Sequence, residues 1–159
     1  MKIVRIFRAA VGDADDMHSI EIACGLSPWT VDGYKSEIAR QETAAFIARD
    51  DDGDAVGFLI GRVPNTREAA AEIFNIGILP DIRRKGIGNA LLVEFLEVCR
   101  KRQVSEAWLE VRISNDEAIN FYRANGFEAS GVRPRFYENP PEDAQLMTLR
   151  LIPESPSTK

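Results

Sequence analysis

The chain contains little of the material from which metal centres and nucleophilic triads are built. Its 159 residues include two cysteines, Cys24 and Cys99, and one histidine, His18. The cysteines stand far apart in apolar helical contexts, which disfavours a disulfide or a thiolate metal site. One histidine is too little for a histidine-rich metal site and does not make a convincing Ser-His-Asp triad. We expect His18 on a helix surface instead. Any chemistry must therefore use carboxylates, tyrosines, backbone amides or a bound cofactor, and we expect no metal.

Long apolar runs and an excess of positive charge are also absent. No apolar segment is long enough to span a bilayer, and residues 1–7 alternate charged and apolar positions, unlike a signal peptide. We therefore expect a cytoplasmic protein without a membrane partner. The net charge of −5 disfavours nucleic-acid binding, because phosphates require a basic face, whereas a basic protein partner is compatible with it.

The length fits one domain over residues 1–152, followed by a polar, proline-containing tail at 153–159 that we expect to be disordered. Periodicity predicts strands at 3–8, 45–49, 55–63, 72–78 and 106–111, with two further extended segments ending at 144–151. Helices are predicted after Asp13, over 30–40, after the loop at 83–88, and over 115–125. This order indicates an α/β or α+β layered domain with a mixed sheet.

Acidic residues at 50–54 separate two of the predicted strands. The Asp52-Gly53 pair is a hairpin signal. A calcium loop is conceivable, but the later glutamate of an EF-hand is missing, which favours a solvated turn.

The segment from Arg83 to Gly88 joins a strand end to an amphipathic helix. Its glycines allow a ligand to approach the backbone, and the free amides and dipole of the helix start favour an anion. Arg83, Arg84 and Lys85 add positive charge. The loop therefore suggests a phosphate site, although a basic turn without a ligand is the alternative.

Two common phosphate motifs do not fit this loop. A Walker P-loop requires Gly-Lys-Ser/Thr, but Asn89 and Ala90 follow Gly88. A dinucleotide fingerprint requires a small residue where Leu91 stands.

Three pieces of the sequence together resemble the GNAT acetyltransferase superfamily. They are the basic glycine loop at 83–88, the strand end at 75–80, and the pattern formed downstream by Asn115, Ala118, Tyr122, Gly126 and Phe127. The chain is most similar to the bacterial ribosomal-protein-alanine N-acetyltransferases, through Pro28-Trp29, residues 74–76, residues 108–115 and Phe136-Tyr137. Phe136, where a tyrosine is common, and a shortened linker at 139–141 depart from that group.

The resemblance implies a mixed, splayed central sheet of six to seven strands flanked by about four helices. Acetyl-CoA would enter between the strands ending at Ile78 and Val111. The family pattern assigns the acetyl and pantetheine parts to the backbone of Ile76, Gly77 and Ile78, and the pantetheine arm to Asn115. It assigns the pyrophosphate to Arg84, Lys85, Gly86, Ile87, Gly88 and Asn89, beside Arg83. It makes Glu110 the general base and Tyr122 the general acid.

Acyl transfer to an amine fits these residue types. A protein α-amine, with a pKa of about 7.7–8.0, is partly neutral at pH 7, whereas a lysine amine at about 10.4 is not, so one carboxylate such as Glu110 suffices as base. Tyr122 follows Asn115 by two helical turns, so both can face one cofactor, and its hydroxyl can protonate the departing thiolate.

Each of these residues also has a structural alternative. Glu110 could be an exposed strand residue, Tyr122 a core aromatic, and Asn115 a helix cap that competes with a capping box from Ser114 and Glu117. Trp29 and Tyr137 are candidates for the acceptor groove, with ordinary loop packing as the alternative.

The favoured function is therefore acetylation of a protein N-terminus, with alanine at a ribosomal-protein N-terminus as the substrate that the resemblance implies. The alternatives are another amine acceptor, such as a small metabolite or lysine, a non-catalytic acetyl-CoA sensor, or a nucleotide-binding module. Intact Glu110 and Tyr122 argue against a sensor.

Overall fold

A computed structural model describes residues 2–26 and 29–151 of the chain. These residues form seven strands: β1 Arg5–Arg8, β2 Thr43–Arg49, β3 Ala55–Arg62, β4 Ala71–Ile78, β5 Glu106–Arg112, β6 Glu128–Tyr137 and β7 Glu142–Arg150. They also form four α-helices: α1 Ala14–Cys24, α2 Val31–Ile38, α3 Ile87–Lys101 and α4 Asp116–Ala124. The expectations for Pro28 and for a disordered tail at 153–159 lie outside the described residues.

All seven strands belong to one mixed sheet, ordered β1-β2-β3-β4-β5-β7-β6. Every neighbouring pair is antiparallel except β4 and β5, which run parallel. That parallel pairing covers only Ala71–Ile73 against Ala107–Leu109. Beyond these residues the two strands diverge, which confirms the splayed mixed sheet that the resemblance implies.

Helices pack on both faces of the sheet. Successive residues of its central strands point to opposite faces, and apolar residues occur on both. On β2, Phe46 contributes to the cluster that contains Leu91 and Phe95 of α3. Its neighbour Ile47 contributes to the other cluster, with Met17 of α1. The helical spacing of Ile87, Leu91, Phe95 and Val98 predicts one buried stripe on α3. The structure confirms it: the first three are buried, and Val98 packs half-buried against the same cluster. The site described below therefore stands on a core buried on both sides.

Capping residues set where two of the helices begin. The Thr30 hydroxyl accepts the Gly33 N–H at the start of α2, and the Asn115 side chain accepts the Ala118 N–H at the start of α4. The expected cap at Asp13 is wrong as a side-chain cap. Its carboxylate instead accepts the Ala10 N–H and a hydrogen bond from Arg49, so it faces away from the first turn of α1.

The acidic hairpin between β2 and β3 has the predicted turn, with Gly53 at a φ of +85°. Asp50 accepts hydrogen bonds from the backbone amides of Asp52 and Asp54. The Nζ of Lys2 lies 2.6 Å from Asp52 and 3.6 Å from Asp50. These contacts give the carboxylates a cation from the chain itself, and one oxygen each of Asp50, Asp52 and Asp54 lie within 4.8 Å of one another.

The scarce residues are placed as the sequence suggested. Cys24 and Cys99 are both free thiols. His18 is half-buried on α1, with its Nε2 4.0 Å from a carboxylate oxygen of Glu21. In the described part of the chain, no helix has the length and apolar character needed to cross a membrane.

Candidate active site

The divergence of β4 from β5 leaves one edge of β4 open. On its other side, β4 is paired with β3 from Glu72 to Ile78, and the register slips by one residue at Phe74. From Phe74 to Ile78 the edge facing β5 has no strand partner. Backbone N–H and C=O groups along this edge can therefore bind an extended ligand as an added strand would.

The N-terminus of α3 faces the same opening. Its first helical hydrogen bond runs from the Ala90 N–H to the Gly86 carbonyl, so the preceding amides have no acceptor within the helix. Arg84 and Gly86 adopt positive φ values of 64° and 85°, which turn the chain sharply into the helix. Unpaired amides beside a guanidinium form an anion site.

Gly88 has a second role that the sequence did not indicate. A Cβ at this position would lie 3.2 Å from the ring of Phe121 on α4. The missing side chain therefore lets α4 pack closely against the first turn of α3. That contact brings Asn115 and Tyr122, which also belong to the start and body of α4, to the loop.

Arg83 is held by the strand that it follows. Its Nε donates to the Ile78 carbonyl at 2.9 Å, and its Nη1 lies 3.6 Å from Glu117 at the start of α4. Arg83 therefore links β4, the loop and α4, while Arg84 is exposed.

A cavity of about 780 Å³ lies between the open edge, the loop and α4. Ten of the eleven residues predicted for cofactor binding line it: Ile76, Gly77, Ile78, Arg83, Arg84, Gly86, Ile87, Gly88, Asn89 and Asn115. The eleventh, Lys85, lines a different cavity together with Lys2 and Asp50. The structure thus brings ten of these residues together around one cavity, while Lys85 lines the neighbouring one with Gly86 and Ile87.

A second cavity, of about 320 Å³, lies on the other side of the splay. Glu110, Trp29 and Tyr137 all line it, so the predicted base and the two predicted acceptor residues share one site. The two cavities have six lining residues in common: Cys24, Leu26, Ile76, Asn115, Ala118 and Tyr122. They therefore meet where the predicted general acid stands.

Tyr122 is buried, and burial raises the pKa of its phenol, with Tyr137 adding to the effect. The hydroxyl is consequently protonated throughout the neutral range and able to donate a proton. Asn115 caps α4 and also lines both cavities, so the cap and the binding role are compatible rather than alternatives. Ser114 does not provide the cap.

Glu110 projects from β5 into the second cavity with a nearly buried side chain. Burial raises the pKa of its carboxyl, and the guanidinium of Arg133 partly offsets that effect. The Arg133 Nε lies 3.0 Å from Glu110 Oε2, yet that buried oxygen accepts no hydrogen bond from the described residues. The contact is thus an ion pair with poor hydrogen-bond geometry, and Glu110 retains capacity for another donor.

Aromatic residues form much of the wall around Glu110. The Trp29 ring lies 5.0 Å from Tyr34 and 5.7 Å from Phe74, between centroids. The guanidinium of Arg112 lies 4.5 Å above the ring of Tyr137. Burial, followed by the charge of Glu110, raises the pKa of Tyr137 to about 12. The cavity wall therefore combines aromatic rings with two carboxyl groups, those of Glu110 and Glu72.

The second of those carboxyl groups belongs to Glu72, which the sequence analysis did not select. Burial raises the pKa of Glu72, and the charge of Glu110 raises it further. Four further residues that the sequence did not indicate as site residues also lie close to Glu110 or line this cavity: Arg133, Phe74, Asn75 and Phe136. The one available signal was the alternation of β4, which places Glu72 between the apolar residues Ala71 and Ile73.

Comparison with known proteins identifies the class of protein that this fold and site define. The model of the acetyltransferase (GNAT) family matches residues 14–127, and the chain belongs to that family. It is an N-acetyltransferase, as the resemblance implied.

Individual relatives cover most of the chain. A putative ribosomal protein bS18-alanine N-acetyltransferase of Bacillus subtilis is 32% identical over 136 residues, 85% of this chain and 87% of the relative. The crystal structure of the ribosomal-protein-S18-alanine N-acetyltransferase from Escherichia coli is 29% identical, with a TM-score of 0.85 and coverage of 99% of both chains. Arabidopsis thaliana Naa50, solved with the bisubstrate analogue CoA-Ac-MVNAL, is 26% identical with a TM-score of 0.79, covering 91% of this chain and 97% of that one.

Proposed function

We propose that this protein transfers the acetyl group of acetyl-CoA directly to the N-terminal α-amine of a protein, in a ternary complex. The observation that carries the proposal is the meeting of two cavities at Tyr122, one beside the anion site and one containing Glu110. A donor and an acceptor bound in the two cavities would approach each other at the splay between β4 and β5.

The first cavity has the features that acetyl-CoA requires. The unpaired edge of β4 from Phe74 to Ile78 offers amide groups to a pantetheine arm, and the Gly86 turn offers free N–H groups to a pyrophosphate. Arg84 supplies positive charge next to them. When bound, acetyl-CoA supplies an activated acyl group as a thioester.

Glu110 is proposed as the general base. An ammonium has no lone pair, so the amine must lose a proton before it attacks. Glu110 lines the acceptor cavity, and its buried Oε2 has no hydrogen-bond donor among the described residues. An α-ammonium can therefore donate to it and leave its proton there.

Tyr122 is proposed as the general acid. Its raised pKa keeps the hydroxyl protonated at neutral pH, so a hydrogen-bond donor is in place for the sulfur as the carbon–sulfur bond breaks. Its position at the junction of both cavities supports this role, and so does the proximity of Asn115 on the same helix.

The relatives' names favour a protein N-terminus as the acceptor. The Escherichia protein is named a ribosomal-protein-S18-alanine N-acetyltransferase and the Bacillus protein a putative one, and Naa50 was solved with the bisubstrate analogue CoA-Ac-MVNAL. We infer the same class of substrate here, a small-subunit ribosomal protein modified in the cytoplasm. The aromatic wall formed by Trp29 and Tyr137 is suited to the first residues of such a peptide.

The test is incubation of the protein with acetyl-CoA and a panel of N-terminal peptides, lysine peptides with blocked N-termini, and small polyamines. Mass spectrometry then locates the added acetyl group. Acetylation confined to free α-amines, highest for an alanine-initiated peptide, is the expected result. Modification of lysine or polyamines alone would contradict the proposed acceptor, and failure to bind CoA would contradict the whole proposal.

A further inference from the structure

Arg133 is the cation that faces Glu110, and it does so from an exposed position at the edge of the sheet. It lies on β6, the edge strand of the sheet, and 51% of its side chain is exposed, whereas only 10% of the Glu110 side chain is exposed. The guanidinium therefore reaches the carboxylate from the solvent side. Its 3.0 Å contact lacks hydrogen-bond geometry, so the pair is weaker than its distance suggests.

The same guanidinium already has a second partner. It lies 5.1 Å above the ring of Phe136, which is itself exposed at the mouth of the acceptor cavity. A cation–π contact of this kind can hold an arginine that has left a carboxylate. Withdrawal of Arg133 from Glu110 therefore leaves the guanidinium solvated and stacked.

The other charged groups near Glu110 do not offer the same freedom. Glu72 on β4 is a like charge, and Tyr137 at the end of β6 is a neutral phenol with a raised pKa. Arg112, two residues along β5, is bound by Glu142 and by the carbonyls of Glu138 and Pro140.

The guanidinium of Arg62 on β3 lowers the pKa of Glu72, but it is bound to Glu37 through two hydrogen bonds. Among the three arginines near Glu110 and Glu72, Arg133 is therefore the one whose described contacts allow another cation to take its place.

We propose that Arg133 is a displaceable counterion, whose place beside Glu110 is taken by the ammonium group of the incoming acceptor. This inference rests on the proposed role of Glu110 as base. One positive charge replaces another, so the buried carboxylate is never left unpaired. Once Arg133 has withdrawn, the proton passes from the ammonium nitrogen to Glu110 Oε2, and the neutral amine keeps the lone pair that attacks the acyl carbon.

Exchange of cations has a kinetic signature that a fixed ion pair would lack. In the free enzyme Arg133 lowers the pKa of Glu110, so its removal should shift the acid limb of kcat/KM to higher pH. In the ternary complex Arg133 has already left, so the acid limb of kcat should stay where it is. Loss of the competitor should also lower KM for the acceptor, by about fivefold for a partly exposed pair.

The experiment compares the wild type with Arg133→Met and Arg133→Lys, using whichever amine the acceptor panel shows to be acetylated. Arg5→Met on β1, at the opposite edge of the sheet, removes the same charge as a control. Arg133→Met should show the lower KM and the shift confined to kcat/KM, while Arg133→Lys and Arg5→Met should follow the wild type.

An increased KM in Arg133→Met would overturn the inference, because Arg133 would then bind substrate. Equal shifts of the acid limbs of kcat and kcat/KM, or no shift in either profile, would overturn it as well. Because the assay uses the amine found experimentally, a wrong acceptor class would defeat the proposed function without deciding this question. Carboxyl NMR titration of Glu110 adds a reading without substrate: its pKa should be higher in Arg133→Met, and an unchanged value contradicts the pairing.

Discussion

Glu21 and Asn75 are joined through a single phenol group. The Tyr34 hydroxyl donates to the Glu21 carboxylate and accepts from Asn75 Nδ2 at 3.2 Å. Glu21 is fully buried and also accepts the Trp29 N–H at 3.0 Å. A buried carboxylate on α1 thus fixes both the aromatic wall and the β4 residue beside the acceptor cavity.

Substitution Tyr34→Phe should destabilise the protein, because it leaves the Glu21 carboxylate and the Asn75 amide short of a partner in a buried setting. The expected loss is about 1–3 kcal/mol in the free energy of unfolding, measured by urea denaturation. Tyr137→Phe removes the same hydroxyl from a half-buried position and should cost less than about 0.5 kcal/mol. Equal stabilities for both variants would show that the Tyr34 hydroxyl does not hold this network.

The ion pair between Glu37 and Arg62 should make stability depend on pH. Burial alone would raise the pKa of Glu37, but hydrogen bonds from Arg62 and Thr43 outweigh it and lower that pKa. A lowered pKa in the folded state adds stability above the ordinary value of 4.5, and this contribution is lost as pH falls. Arg62 is partly exposed, so screening limits the gain to about 1 kcal/mol.

Glu37→Gln should therefore be less stable than the wild type at pH 7, and the gap should narrow as the pH approaches 3. Urea denaturation across this range measures the gap. Glu97→Gln is the matched control: Arg100 also lowers the pKa of Glu97, but this pair is exposed on a helix surface, where screening should leave a smaller gap. A gap in Glu37→Gln that is constant with pH would contradict the ionic contribution.

Gly86→Ala should weaken CoA binding, since alanine disfavours the φ of +85° by about 1–2 kcal/mol. Calorimetry should show a dissociation constant for CoA that is about tenfold higher. Gly12→Ala is the control: a Cβ there meets nothing within 4 Å and no left-handed φ is involved. Unaltered affinity in Gly86→Ala would mean that the loop tolerates another geometry and that the turn is not what positions the amides.

The helices and turns that could be predicted from the sequence are those whose pattern lies within a few consecutive residues. The 3.6-residue spacing of Ile87, Leu91 and Phe95 predicted α3, and the Asp52-Gly53 pair predicted its hairpin. The cap at Asp13 was wrong because Arg49, distant in sequence, competes for the same carboxylate. A helix cap is a local pattern, but its outcome depends on which long-range partners the fold delivers.

The acceptor side of the site was harder to predict for the same reason. Glu72 and Arg133 reach Glu110 only through strand register: β4 slips at Phe74, and β6 is irregular on β7 between Arg133 and Tyr137. Neither irregularity has a clear sequence signature. The cofactor loop could be predicted because glycine, arginine and a helix start are contiguous, whereas the acceptor residues come from separate strands.

Tyr122→Phe should reduce kcat by about 100-fold or more while CoA affinity and thermal stability stay close to those of the wild type. The ring remains to pack against Phe121 and Phe127, so only the proton donor is lost. Steady-state kinetics, calorimetry with CoA and thermal denaturation together make the test. A fall in CoA affinity that matches the fall in rate would assign Tyr122 to binding instead.

Glu110→Gln should lower kcat by at least about 100-fold at pH 7, with CoA affinity unchanged. Glu106→Gln, an exposed substitution on the same strand, should leave the rate unaltered. The deficit of Glu110→Gln should also shrink as the pH rises past about 8, because the acceptor α-amine then loses its proton to water and needs no base. A deficit that persists undiminished at pH 9 would mean that Glu110 orients the acceptor through its charge rather than taking its proton.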